Sequence, residues 1–232
     1  MTDAKQLIDR LDREHTLTVD EYEYLITAQT DELAEYAASL ADKRRREIYK
    51  NEVFVRGLIE IGNLCKNDCF YCGIRRSNKA CDRYRLTKEE ILDCCKTGYE
   101  LGFRTFVLQG GEDGFFTDEV MCDIVSEIKN RFPDCAVTLS LGERSYESYQ
   151  RLFDSGADRY LLRHETADKK HYSMLHPPKM SLENRMQCLY NLKRIGYQTG
   201  AGFMVGSPFQ TPEMLVKDLK FIEKLSPEMC GI

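Results

Sequence analysis

VFVRGLIEIG, residues 53–62, is where the rhythm of the chain changes. Before it the text is helical, with Leu33, Tyr36, Ala37 and Leu40 at i, i+3, i+4 and i+7. The quoted stretch is β-branched and apolar and reads as a strand. A loop follows, and then Thr87 with Glu90 makes a capping box that opens a helix carrying Ile91, Leu92, Cys95 and Tyr99 on one face. The alternation continues. RTFVLQ (104–109) reads as a strand, and Thr117 opens a helix with Val120, Met121, Ile124, Val125 and Ile128 on one side. CAVTLSLG (135–142) is the third strand, followed by a short helix from Ser145 to Phe153 ended by Gly156. DRYLLRHE (158–165) is the fourth, before a helix capped by Ser181 and running to Ile195. QTGAGFMVG (198–206) is the fifth, and Thr211 with Pro212 opens a helix to about Leu225.

Five βα units in a row predict an α/β fold with a parallel sheet, doubly wound or closing into a barrel. The sequence stops at CGI, just inside a sixth strand. A full eight-unit barrel needs about 250 residues, so the expectation is a truncated or naturally incomplete barrel. The expected domains are an N-terminal helical extension over 1–50 and a barrel core over 51–232.

Composition narrows the function. The 232 residues are 42% hydrophobic, enough to bury a sizeable core. Lys and Arg number 33 against 38 Asp and Glu, a net charge of −5, and the only basic run, KRRRE (43–47), reads as a solvated helix face. No stripe argues for nucleic acid, and no run of 18 apolar residues argues for a membrane span. Without a signal-like start the chain is expected to be cytoplasmic, where its ten cysteines are better read as ligands or packing groups than as disulfides.

Three of those cysteines are grouped. CKNDCFYC places Cys65, Cys69 and Cys72 at C-x3-C-x2-C spacing in the loop after the first strand. A structural zinc takes four ligands, which here would require Cys81, nine residues on. Three thiolates on a 4Fe-4S cluster instead leave one iron open for chemistry. The other strand ends also carry unusual residues, as barrel chemistry requires: QGGE (109–112), Gly142 with Glu143, Arg163 to Glu165, and FMVGSP (203–208). Taken alone, Gly142-Glu143 reads as a turn with a surface charge. Arg159, Leu161, Arg163 and Glu165 share one strand face, as do Thr138 and Ser140, and Gly200, Gly202 and Met204. Charges and small residues therefore point inward together. Cys94, Cys95, Cys122, Cys135 and Cys188 read as small packing groups, and His171 and His176 as loop residues.

The cysteine spacing, with Tyr71 before the last cysteine and QGGE downstream, resembles the radical S-adenosylmethionine (SAM) superfamily. Within it YCGIRR (71–76), TFVLQGGED (105–113), YLLRHETAD (160–168) and GAGFMVGSPFQT (200–211) resemble the HydE maturases of FeFe-hydrogenase, a biotin synthase-like group. The resemblance runs from about residue 50 to the end. It implies a TIM-type (β/α) barrel in which Cys65, Cys69 and Cys72 hold a 4Fe-4S cluster whose open iron chelates SAM, and an electron then yields a 5'-deoxyadenosyl radical. It implies SAM contacts from Tyr71, Gln109, Gly110, Gly111, Glu112, Ser140, Glu165, Arg185, Met204 and Val205. Arg185, by spacing alone a surface helix arginine, would face the methionine carboxylate, and Glu165 the ribose. Thr138, Arg159 and Arg163 would form an anion-friendly substrate region for a small organometallic iron precursor of the diiron subcluster. A reductant protein such as ferredoxin or flavodoxin and other hydrogenase maturases are the implied partners. Biotin synthase and methylornithine synthase types share the loop and barrel and remain alternatives, as do a metal-stabilised scaffold and a fragment that binds a cluster without turnover.

Overall fold

The computed structural model describes residues 3–232. Its elements in chain order are α1 (Ala4–Glu14), α2 (Val19–Thr27), α3 (Asp31–Tyr49), β1 (Gly57–Gly62), α4 (Lys88–Glu100), β2 (Thr105–Gly110), α5 (Asp118–Arg131), β3 (Ala136–Ser140), α6 (Tyr146–Asp154), β4 (Arg159–Leu161), α7 (Lys169–Leu175), α8 (Leu182–Ile195), β5 (Gln198–Gly202), α9 (Pro212–Leu225) and β6 (Met229–Gly231). The helix starts follow the capping residues. Thr87 and Glu90 satisfy each other's backbone N–H groups, and Thr117, Ser145 and Ser181 each accept from a first-turn amide. Thr211 sits at the N-cap of α9 without a side-chain bond, with Pro212 at the first helical position.

Residues 55–204 with 227–232 make one compact unit. Its six strands pair in parallel in the order β1-β2-β3-β4-β5-β6. Parallel crossovers are right-handed, so laying strands down always in one direction places every helix on the same face. The contacts agree: α4 packs on α5, α5 on α6 and α6 on α8. Period-two alternation sends Ile59 and Ile61, Phe106 and Leu108, Val137 and Leu139, Tyr160 and Leu162, and Ala201 under those helices, all buried. Tyr160 lies edge-on to Tyr149 and Tyr197, with centroids 5.0 and 5.8 Å apart. Leu139→Ala at the centre of this layer is expected to cost about 2–5 kcal/mol of stability, because a buried strand position cannot collapse around the void; a urea midpoint shift of less than one quarter of that would contradict this packing.

Residues 3–54 and 205–226 group as the second compact unit. Leu7, Leu17, Tyr22 and Val216 form its buried cluster, with Leu11, Leu25, Ile26 and Leu219 against it. The apolar face of α9 that carries Val216 and Leu219 is thus spent on α2, and α9, expected within the barrel core, groups with the N-terminal helices. The KRRRE run is a solvated face, with Arg44 bonded to Asp12 at 2.6 Å and Arg46 to Asp42 at 2.5 Å.

Three expectations are corrected. β1 begins at Gly57, not at residue 53, and Val53, Phe54 and Val55 are exposed with no strand to pair with. β4 spans three residues rather than eight, ending at Leu161; Glu165, at φ +67, rejoins the sheet only through a single parallel bridge to Phe203, its N–H reaching Gly202 O at 3.1 Å. The segment holding His171 is helical, not loop, capped by Asp168 Oδ1 accepting from His171 N–H at 2.8 Å. Both His171 and His176 are buried.

Candidate active site

The cysteine loop has little regular structure, so its backbone groups need other partners. Arg83 supplies them. Its guanidinium donates to the carbonyls of Ile74, Arg75 and Asn78 at 2.8–3.0 Å and to that of Asn63. Tight turns bring Cys72 N–H to Cys69 O at 3.1 Å and Arg75 N–H to Cys72 O at 3.2 Å. The three thiols are half-buried and close enough that Cys65 and Cys72 act on the charge of Cys69. Asn67 N–H donates to Cys65 Sγ at 3.4 Å.

The end of β2 docks directly on this loop. Lys66 N–H donates to Glu112 O at 2.9 Å, and a Cβ on Gly111 would overlap Leu64 O and Cys65 Cβ. Gly142, at φ +77, is needed for the same reason: a Cβ there would overlap the Glu112 side chain. Glu112 is held by Glu143 N–H at 3.0 Å and by Lys66 Nζ at 3.1 Å. With Cys65, Lys66, Arg83 and Cys81 it lines a cavity of about 430 Å³.

A second cavity, of about 320 Å³, lies over the strand ends. Tyr71, Cys72, Gln109, Gly110, Ser140, Arg163, Glu165 and Arg185 all line it, with Glu60, Asn63 and Leu161. Seven residues expected to touch cofactor or substrate, from the cysteine loop, β2, β3, the segment after β4 and α8, therefore surround one space together with Cys72. Arg185 is 7% exposed, which overturns the surface-arginine reading. Its Nε donates to Glu143 Oε1 at 2.6 Å and its Nη1 to Arg163 O at 2.8 Å. Burial works against that charge, but Tyr172 and Glu143 hold the guanidinium protonated, above its ordinary range. Glu143 is correspondingly no surface charge: its side chain is 15% exposed and also accepts from Asn184 Nδ2 at 2.6 Å.

The remaining expected residues lie elsewhere. Met204 N–H donates to Glu165 O at 3.0 Å, beside the cavity but outside its lining, and Val205 is 61% exposed. Arg159 stands at the opposite ends of the strands, bonded to Gln198 Oε1 at 2.5 Å and Thr105 Oγ1 at 3.2 Å. Thr138 is mid-strand in β3 and 1% exposed, and its hydroxyl has no hydrogen-bond partner among the described residues. Thr138→Val is expected to stabilise the protein by about 1 kcal/mol, since it removes a desolvated hydroxyl that gains nothing in return; a lower urea midpoint would show that the hydroxyl has a hidden partner.

Sequence reasoning noted Glu143 at a strand end but gave it no role, and it gave His176 none either. Glu143 had a signal, its place at the end of the third strand, where the rule that found QGGE also applies. His176 had none.

The Radical SAM superfamily profile matches residues 59–222. The chain belongs to the radical SAM superfamily. Among its curated relatives, the [FeFe] hydrogenase maturase subunit HydE of Thermotoga maritima is 49% identical over 193 residues, covering 83% of this chain and 55% of that protein. The 3-methylornithine synthase of Methanosarcina acetivorans is 27% identical, covering 93% of this chain and 61% of that protein. This radical SAM chain thus spans about 55–61% of the length of these relatives. Among solved structures, methylornithine synthase PylB superposes with a TM-score of 0.87 at 27% identity over 97% of this chain and 66% of that one. The maturase HydG gives 0.85 over 98% and 53%, at 23% identity, and shares the fold.

The site fits the group this superfamily uses. Thiolates are the ligands of 4Fe-4S clusters, and this loop presents three. Burial pushes the Cys69 thiol up to about 11, against the opposing pull of Arg185, so binding a cation is what would draw off its proton. Among the described residues no three His, Cys, Asp or Glu side chains converge on one point as a single ion needs, and Cys81 Sγ is taken up by Asn63 Nδ2 at 3.5 Å. No helix among the described residues is long and apolar enough to cross a membrane.

Proposed function

We propose that this chain carries the cluster-binding and SAM-binding part of a radical SAM enzyme, with Cys65, Cys69 and Cys72 as the ligands of a 4Fe-4S cluster. The observation that carries this reading is the 320 Å³ cavity in which Cys72 stands beside Tyr71, Gln109, Ser140, Glu165 and Arg185. When bound, the cluster supplies the electron that splits the sulfonium of SAM into methionine and a 5'-deoxyadenosyl radical. The protein's part is to bind, orient and shelter. Arg185, kept charged and aimed by Glu143, offers a guanidinium to a carboxylate. Gly110 and Gly111, with Glu112, offer acceptors to the methionine ammonium. Glu165 is assigned to the ribose hydroxyls, and Tyr71 with the Met204 backbone to the adenine. Arg163, at the cavity, is proposed to hold the substrate, with Thr138 below it in the sheet, whereas Arg159 lies at the far ends of the strands and takes no part.

The 49% identity to HydE supports a role in FeFe-hydrogenase maturation, in the cytoplasm, on a small organometallic iron precursor, with a ferredoxin or flavodoxin as reductant and other maturases as partners. The 0.87 superposition on methylornithine synthase favours a second reading, a relative acting on a small amino acid. Anaerobic reconstitution with iron and sulfide, then EPR of the reduced protein with and without SAM, tests the first claim. A 4Fe-4S signal that changes with SAM, followed by 5'-deoxyadenosine in the product, supports it. A protein that keeps only zinc, or a cluster indifferent to SAM, defeats it. Restoring hydrogenase maturation in a reaction lacking HydE separates the two substrates.

A further inference from the structure

His176 is 1% exposed at the end of α7, and the proposed function gives it no part. Its ring stacks on Tyr172, one turn earlier, at 3.8 Å and 13°. Its Nδ1 lies 2.9 Å from Tyr172 O, and its Nε2 3.1 Å from the Tyr71 hydroxyl. A carbonyl oxygen only accepts, so Nδ1 carries the ring proton. Burial pushes His176 down to about 4, which leaves the ring with a single proton at neutral pH. Nε2 is therefore a lone-pair acceptor, and the Tyr71 O–H must donate to it. The bond joins the cysteine loop to a segment 105 residues away. It does not act alone: Phe70 N–H donates to Leu175 O at 2.9 Å, Lys179 Nζ to Lys66 O at 3.1 Å, and Cys69 Sγ lies 3.7 Å from Met180 Sδ.

Tyr71 is 38% exposed, with its hydroxyl turned inward and its ring at the cavity lip. A ring tethered only by its own backbone samples several rotamers and must be ordered when a ligand arrives. We propose that His176 is a positioning residue, whose Nε2 anchors the Tyr71 hydroxyl and so holds that ring ready as a flat platform for the purine of the bound nucleoside. The proposal rests on the reading of the cavity as a SAM site. The anchor is rigid because the histidine is itself clamped, by its stack and by its Nδ1–H bond to the same Tyr172.

The test is a cycle of Tyr71→Phe, His176→Phe and the double variant on reconstituted protein, reading cluster content and the SAM dissociation constant by calorimetry. Each single change is expected to weaken SAM about threefold to tenfold, the scale for ordering one side chain, with iron and sulfide unchanged. The double variant is expected to be no weaker than either single one, because both remove the same bond. Independently of any cofactor, ¹⁵N NMR of the histidines in the apo protein is expected to show the Nδ1–H tautomer at His176, and an Nε2 resonance that moves in Tyr71→Phe. An Nε2–H tautomer, strictly additive losses, or singles that bind as tightly as wild type overturns the role. Tyr71→Phe removes one hydroxyl from a partly exposed ring, so it keeps the test decisive if His176→Phe misfolds. A wild-type cluster blind to SAM would instead sink the reading of the cavity, and is told apart by that measurement alone.

Discussion

Cys69→Ser is expected to strip the protein of its cluster, with iron falling from about four per chain to below about one and 5'-deoxyadenosine formation dropping at least about 100-fold. The physical reason is ligand softness. A serine hydroxyl loses its proton far less readily than a thiol and holds iron poorly, and the sulfur beside Cys69, the thioether of Met180 at 3.7 Å, is a weak ligand in its place. Burial already desolvates the Cys69 thiol, so an unfilled hydroxyl there gains little compensating water. Cys94→Ser is the matched control, since Cys94 is exposed on α4, outside the cavity lining. Iron and sulfide retained in Cys69→Ser, or zinc retained only while Cys81 is intact, would mean that the trio is a structural site.

Glu143→Ala is expected to destabilise the protein by about 3–5 kcal/mol, the range for leaving one member of a buried ion pair uncompensated. Glu143 and Arg185 are 15% and 8% exposed at their side chains and meet at 2.6 Å, so neither charge can be rescued by solvent once its partner is gone. The same change frees Asn184 Nδ2. Glu143→Gln keeps an acceptor for Nε and is expected to lose less, about 1.5–3 kcal/mol. The double variant Glu143→Ala with Arg185→Met removes the stranded charge and is expected to regain most of the stability while still failing to bind SAM, because the carboxylate has lost its guanidinium. Urea denaturation of the apo protein at pH 7 measures the first quantity and calorimetry of the reconstituted protein the second. A loss below about 1 kcal/mol in Glu143→Ala would show that the pair is solvated and that Arg185 is not aimed by it.

Much of this was legible in the sequence because the deciding signals are local. Period-two alternation told Tyr160 and Leu162 from Arg159, Leu161 and Arg163, and the structure buries the first pair under the helices. Thr87, Thr117, Ser145 and Ser181 announced helix starts through bonds that span three residues. The three cysteines were visible because their C-x3-C-x2-C spacing falls within one loop. Strand ends were identifiable as chemical positions once the βα order was read, and five of the residues expected there, Gln109, Gly110, Ser140, Arg163 and Glu165, line one cavity.

What only the tertiary structure decided depends on residues far apart in the chain. Whether Glu143 is a surface charge or the partner of Arg185 depends on a contact across 42 positions, and no pattern within either segment encodes it. His176 reads as a loop residue until α7 folds back on the cysteine loop and the ring loses its water. The grouping of α9 follows from an apolar face that finds Leu7, Leu17 and Tyr22. Faces and caps are fixed by periodicity and by bonds within one turn. Charge pairing, desolvation and tautomer are properties of a three-dimensional neighbourhood, and only the assembled sheet creates one.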